Sequence, residues 1–265
     1  MLHLSVGIAV YCGVLAFVLG ACMGSFLGCM AWRIVHGEPV TKGRSHCDAC
    51  GHVLAARDLV PIVSYLAHHG KCRYCGAKLS ARHLWAELAT GVTYVLLLFQ
   101  FDISLQALEM ILFASVLLAA AFADLEGYII PDRFIAAGIL LRVPFFFCVG
   151  DWRQTLPDAL LGGFAVGGGL LAVVLLYERL RRVEAMGGGD LKLLFLTGLY
   201  LGWAKNLLCL LFACLLGIGF ALATQKSRQT QENAKLFPWG PSICAAAIVT
   251  LLAGDRLIAA YLSLF

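Results

Sequence analysis

The chain has 265 residues, of which 61% are hydrophobic and only 14% charged, and its mean hydropathy is +0.85. No soluble domain of this length has that composition, so a water-soluble enzyme is excluded and a polytopic membrane protein is expected. The net charge of +4 gives no sign of a nucleic-acid partner.

The first apolar run, Leu4 to Trp32, lacks a basic leading region and is too long for a cleavable signal, so it reads as a retained transmembrane helix. Within it Gly20, Gly24 and Gly28 recur every fourth residue, a smooth stripe suited to close helix packing. Residues 33–83 follow as the one sizeable polar segment. Further apolar runs lie near 86–101, 105–123, 134–149, 159–177, 191–203, 207–224 and 239–264. The expected fold is therefore an all-α polytopic membrane protein of about eight transmembrane helices, with the lipid bilayer as its solvent. Its expected parts are a first helix (1–32), a polar loop domain (33–83) and a membrane-embedded core (84–265). No internal repeat is evident, which gives no support to a transporter built from inverted repeats.

Basic residues set the expected orientation, because Lys and Arg concentrate in short cytoplasmic loops. Segment 33–83 and the turns at 124–133, 179–192 and 225–237 hold 16 of the 20 Lys and Arg. That side is read as cytoplasmic, with both termini opposite.

The polar loop carries Cys47-x-x-Cys50-Gly51 and Cys72-x-x-Cys75-Gly76, with 21 residues between the pairs. Each pair offers two thiolates to one metal, and doubled Cys-x-x-Cys spacing points to zinc held by Cys47, Cys50, Cys72 and Cys75. A disulfide framework needs an oxidising compartment, which conflicts with a cytoplasmic loop. Four thiolates leave no open position, so the zinc is expected to be structural. His46 and His52 flank the first pair and are read as solvated rather than ligating. The other seven cysteines sit in apolar runs without paired spacing and read as small packing residues.

Two acidic residues stand where apolar runs meet glycine-bearing turns: Asp124 in Ala-Asp-Leu-Glu-Gly-Tyr-Ile-Ile-Pro131, and Asp190 in Met-Gly-Gly-Gly-Asp-Leu-Lys192. A carboxylate at a membrane rim is costly, and two that meet and share a proton supply both the base and the acid of peptide hydrolysis. Gly187, Gly188 and Gly189 clear side chains from a substrate's approach. On the residues alone, the acids have a second reading as mere markers of helix ends, in a membrane scaffold whose zinc hairpin docks a partner. Glu109 and Arg142, inside apolar runs, have a third as part of an ion or proton path, or as partners of each other or of the aspartates.

Taken together, the motifs resemble the prepilin leader peptidases, membrane aspartic proteases of the GxGD type that serve type IV pilus and type II secretion systems. The match comprises Gly24-Ser-Phe-Leu27, both cysteine pairs, Val60-Pro-Ile-Val-Ser64, Glu87 with Gly91, the segment from Asp124 to Pro131, Gly187-x-Gly-Asp190 and Gly240-Pro241. His83-Leu84, Asp48 and Pro238-Trp-Gly-Pro-Ser242 depart from the usual family pattern. The resemblance implies a bacterial inner-membrane enzyme that cuts a basic leader from prepilin or pseudopilin substrates at the cytoplasmic face, with Asp124 and Asp190 as its catalytic pair. It also implies N-methylation of the new amino terminus from S-adenosylmethionine, with Glu87 and Gly91 as methyl-donor residues. A peptidase without the methyltransferase activity is the alternative. Methylation rests on the resemblance alone, since Gly167 to Gly169 lie inside an apolar run.

Overall fold

A computed structural model describes residues 6–40, 43–47, 49–149, 152–183, 186–228 and 238–264, with side chains up to 223 in the fifth stretch. Part of the basic turn at 225–237, together with Asp48 and Glu184, lies outside the described residues. Among the described residues the regular structure is helical, apart from two isolated bridges in the polar loop. Contacts divide the chain into two compact units, Met1–Ala107 and Leu108–Phe265.

In the first unit, α1 (Val6–Val35) lies along α3 (Ala81–Phe101), and the polar loop with its short helix α2 (Val63–Ala67) joins them. The glycine stripe is where the two long helices meet. A Cβ placed on Gly24 would fall 2.5 Å from the Ala86 carbonyl oxygen, and one on Gly20 would fall 2.8 Å from Gly91 Cα. Backbones this close gain dispersion contacts that larger side chains would forbid. Gly28 is looser, at 3.5 Å from Ala86 Cβ.

The second unit is built on α4 (Leu105–Gly127), α5 (Asp132–Cys148), α6 (Trp152–Gly162) and α7 (Gly169–Arg181), followed by α8 (Gly188–Arg228) and α9 (Gly240–Leu262). A π-helical turn at Gly163–Gly168 makes α6 and α7 one rod. Its position explains the glycine cluster at 167–169: it is helix, as expected. The buried Ala114, Ala119, Ala120 and Ala123 of α4, beside Phe113 and Leu117, let neighbours approach it closely.

Six helices among the described residues are long and apolar enough to cross a membrane, against eight expected runs. Two differences account for the count. The run at 134–149 forms the 17-residue α5, at the short end of what spans a bilayer. The runs at 191–203 and 207–224 are joined in α8, where Gly202 has φ +75° and ψ 178°, a conformation open to glycine.

That break folds α8 back on itself. Asn206 Nδ2 donates to the Leu194 carbonyl at 3.1 Å across a separation of 12 residues, which in a straight helix would span about 18 Å. Thr197 Oγ1 lies 2.8 Å from Asn206 Oδ1, and Asn206 Nδ2 also donates to the Gly162 carbonyl at 3.0 Å. The groups released by the break find side chains: Trp203 N–H donates to Asp158 Oδ1 at 3.4 Å, and Arg142 Nε donates to the Leu199 carbonyl at 3.1 Å. Backbone freed in an apolar setting needs such partners. Arg142 also pairs with the buried Glu109, so the two intramembrane charges choose each other rather than an aspartate of the proposed dyad. The eight apolar runs thus map onto eight helical arms.

Candidate active site

In the first unit each cysteine pair sits in a tight knuckle closed by one antiparallel bridge, His46 with Val53 and Lys71 with Lys78. The knuckles repeat one geometry. Gly51 N–H donates to the Cys47 carbonyl at 2.8 Å and Gly76 N–H to the Cys72 carbonyl at 2.9 Å, with both glycines left-handed at φ +69° and +73°. The four sulfurs lie within 4.8 Å of one another, with Cys47 and Cys75 Sγ at 3.9 Å. Zn–S bonds of about 2.3 Å in a tetrahedron place sulfurs about 3.8 Å apart, so the set fits zinc. The N–H groups of Cys75 and Tyr74 pull the Cys72 thiol down to about 7, which favours the thiolate that a metal requires. His46 and His52 stay out of the cluster, His52 lying against the Tyr74 ring at 3.8 Å between centroids.

Asp58 ties the knuckles together, accepting from Tyr74 Oη at 2.9 Å and from Ala55 N–H at 3.1 Å. Desolvation opposes its charge, but these bonds and the nearby Arg73 and Arg57 hold its carboxyl below the usual carboxylate range. Between the loop and the membrane helices of this unit lies a cavity of about 270 Å³, whose wall includes Trp32, Arg33, Asp58, Tyr65, His83 and Glu87. Glu87 is buried and accepts from the Ile62 N–H at 2.7 Å. Gly91, one turn deeper, meets α1 instead, where a Cβ would strike the Phe17 ring at 2.9 Å.

In the second unit Asp124 ends α4 and Asp190 begins α8, and their charges lie within interaction range of each other. Asp124 is buried, at 5% exposure, and its Oδ2 accepts from Gly240 N–H at 2.9 Å. Gly240 is the first residue of α9, so the positive end of that helix faces Asp124. Trp239 Nε1 donates to the Ala213 carbonyl at 3.0 Å and Cys244 Sγ to the Leu117 carbonyl at 3.0 Å, which hold α9 in place beside the site. Asp190 is half-buried, and its Oδ1 is enclosed without a donor among the described residues. A buried carboxyl oxygen left this way is suited to a water or substrate donor.

The three glycines ahead of Asp190 differ in their surroundings. A Cβ on Gly188 meets nothing within 4 Å among the described residues, one on Gly187 comes within ordinary contact of Asp190 Oδ2, and one on Gly189 would press on Ile130 Cβ at 3.0 Å. Across the turn, Lys192 Nζ bonds Asp132 Oδ1 at 2.6 Å, which ties the start of α8 to the start of α5.

Residues 18–101 match the bacterial peptidase A24 N-terminal domain, and residues 111–222 match the type IV leader peptidase family. The chain is 34% identical over 233 residues to a prepilin leader peptidase/N-methyltransferase of Myxococcus xanthus, covering 86% of this chain and 68% of the relative. The chain belongs to the type IV leader peptidase family. A second family member, from Pseudomonas putida, is 30% identical, with 94% of this chain and 93% of the relative covered. A third, from Bacillus subtilis, is 30% identical with 94% and 97% covered. No solved structure matches the chain. The two family segments fall one on each compact unit, the N-terminal one on the cysteine knuckles and the peptidase one on both aspartates.

Two contributors to the surroundings of the aspartates carry no chemical signal in the sequence. Gly240 enters through its backbone N–H and Ile130 through its shape. Asn206, a buried amide between two apolar runs, belongs to the fold of α8 rather than to the aspartates.

Proposed function

We infer that the protein removes the basic leader from type IV prepilins or type II secretion pseudopilins, and N-methylates the exposed amino terminus using S-adenosylmethionine. Asp124 and Asp190 are the catalytic pair. One carboxyl takes a proton from the attacking water while the other donates to the scissile carbonyl oxygen, and the pair shares a single proton between them. The observation that supports this reading is that two carboxyls, from the C-terminal end of α4 and the start of α8, lie within electrostatic range of each other, with Asp190 Oδ1 enclosed and without a donor among the described residues. Gly240 N–H fixes the rotamer of Asp124. The open side of Gly188 gives an extended substrate backbone room beside Asp190.

The enzyme sits in the bacterial inner membrane with this site toward the cytoplasm, on the side where Lys and Arg concentrate. The acidic turn around Asp124 and Glu126 attracts a basic leader, and the hydrophobic segment that follows it lies among the helices. The parts of the chain divide as first helix (1–32), zinc-binding loop (33–83) and peptidase core (84–265). Zinc held by Cys47, Cys50, Cys72 and Cys75 supplies folding energy to the loop and takes no part in hydrolysis.

The residues lining the cavity beside the loop would hold the methyl donor. When bound, it supplies an electrophilic methyl group on a cationic sulfur. Glu87 would offer a carboxylate to that charge, Trp32 and Tyr65 in the cavity wall would pack against its flat ring, and Gly91 supports the wall by seating α3 on α1. The test is mass spectrometry of a prepilin substrate incubated with the purified enzyme and methyl donor. The expected product lacks its leader and carries one added methyl group. Cleavage without methylation would leave a peptidase alone, and an intact substrate would overturn the reading.

A further inference from the structure

The turn between α4 and α5 does more than connect them. After Asp124 the chain leaves α4 through Tyr128, left-handed at φ +55°, and Pro131 caps α5. This turn leaves Ile129 63% exposed and buries Ile130 to 7%. Ile130 touches the start of both helices that flank the site. Its Cβ would lie 3.0 Å from a Cβ on Gly189, next to Asp190, and its Cδ1 would lie 3.1 Å from a Cβ on Gly240, whose N–H holds Asp124.

Gly189 leaves room for Ile130, and Gly240 leaves room for both Asp124 Oδ2, 2.8 Å from where its Cβ would be, and Ile130 Cδ1. Ile is branched at Cβ and stiff at χ1, so its two ends keep a fixed separation. We propose that Ile130 is a positioning residue for leader removal, a rigid spacer that sets the gap between the Asp124 and Asp190 carboxyls by seating Gly240 on one side and Gly189 on the other. It touches neither substrate nor water in this role. The proposal rests on the aspartate pair being catalytic.

The separate contacts make the two truncations informative. Ile130→Val removes Cδ1 and frees only the Gly240 side, while Ile130→Ala frees that side and leaves just Cβ against Gly189. A displacement of about 1 Å in a reacting group can cost about a hundredfold in rate. Purified full-length variants are assayed for kcat and KM of leader removal, for methyl transfer to a pre-cleaved substrate, and for thermal unfolding. The expected result is a kcat loss of a few-fold in Ile130→Val and about a hundredfold in Ile130→Ala. KM for the uncut substrate stays within about twofold and methyl transfer is unchanged, as a change confined to geometry at the dyad requires.

Full kcat in Ile130→Ala would overturn the proposal. So would a raised KM at unchanged kcat, which marks a substrate contact, or a parallel fall of both activities with the melting temperature, which marks a purely structural role. If Ile130→Ala fails to fold, the graded kcat loss in Ile130→Val decides the matter alone. Asp124→Asn and Asp190→Asn run alongside: cleavage retained by either means that the catalytic assignment fails, independently of what Ile130 does.

Discussion

The cysteine loop and the aspartate site are built by opposite routes. Each cysteine knuckle is local, closed by hydrogen bonds between residues a few positions apart, and its two halves converge within one loop. The aspartate site is assembled from the ends of three helices, with Gly240 reaching Asp124 across 116 positions. A local four-cysteine site could be held by a metal, whereas a dispersed one is held by the packing of everything between its parts. The two should therefore fail independently and for different reasons.

The largest separation should come from removing the metal. Chelation or Cys72→Ser is expected to open the loop and abolish methyl transfer while leader removal falls by no more than a few-fold, because the metal's binding energy is folding energy for the loop. Limited proteolysis within 33–83 and the two activities measured side by side check this. Equal loss of both activities would mean that the loop and the aspartates are coupled.

The converse break lies in the core. Arg142→Met strands Glu109, 1% exposed, without its cation and releases the Leu199 carbonyl at the α8 fold. Breaking a buried pair this way costs about 3–5 kcal/mol. Thermal unfolding in detergent should show that loss, with the knuckles still binding zinc. Arg142→Met combined with Glu109→Leu should recover much of it, since replacing both partners of a buried pair is often close to neutral.

What the sequence makes legible follows the same division. Cysteine spacing reveals the four-sulfur cluster because its geometry is written in neighbouring residues. The eight apolar runs reveal the helical arms, including the fold in α8, since Lys205 and Asn206 interrupt the apolar pattern next to Gly202. The pairing of Glu109 with Arg142 is suggested by two charges without water, but their register comes only from how α4 and α5 lie. The approach of Asp190 to within electrostatic range of Asp124 is a long-range property that no local pattern encodes. The roles of Ile130 and the Gly240 N–H are invisible for a further reason: a buried isoleucine and a backbone amide look like any others.

A smaller effect separates the glycines of α1. Gly24→Ala places a methyl group 2.5 Å from the Ala86 carbonyl, whereas Gly28→Ala meets Ala86 Cβ at an ordinary 3.5 Å. Overpacking predicts about 1–3 kcal/mol of destabilisation for the first and close to none for the second. Both are read by thermal unfolding, and both should leave kcat of leader removal per folded molecule unchanged.

The central claim is that two carboxyls act as one unit in a site independent of the zinc loop. Its most direct test compares leader removal and methyl transfer to a pre-cleaved substrate in purified, folded Asp124→Asn and Asp190→Asn. Either change alone should take leader removal below detection, because neither remaining carboxyl can serve as both acid and base, while methyl transfer continues at the wild-type rate. Leader removal at an appreciable rate in either variant would contradict the account.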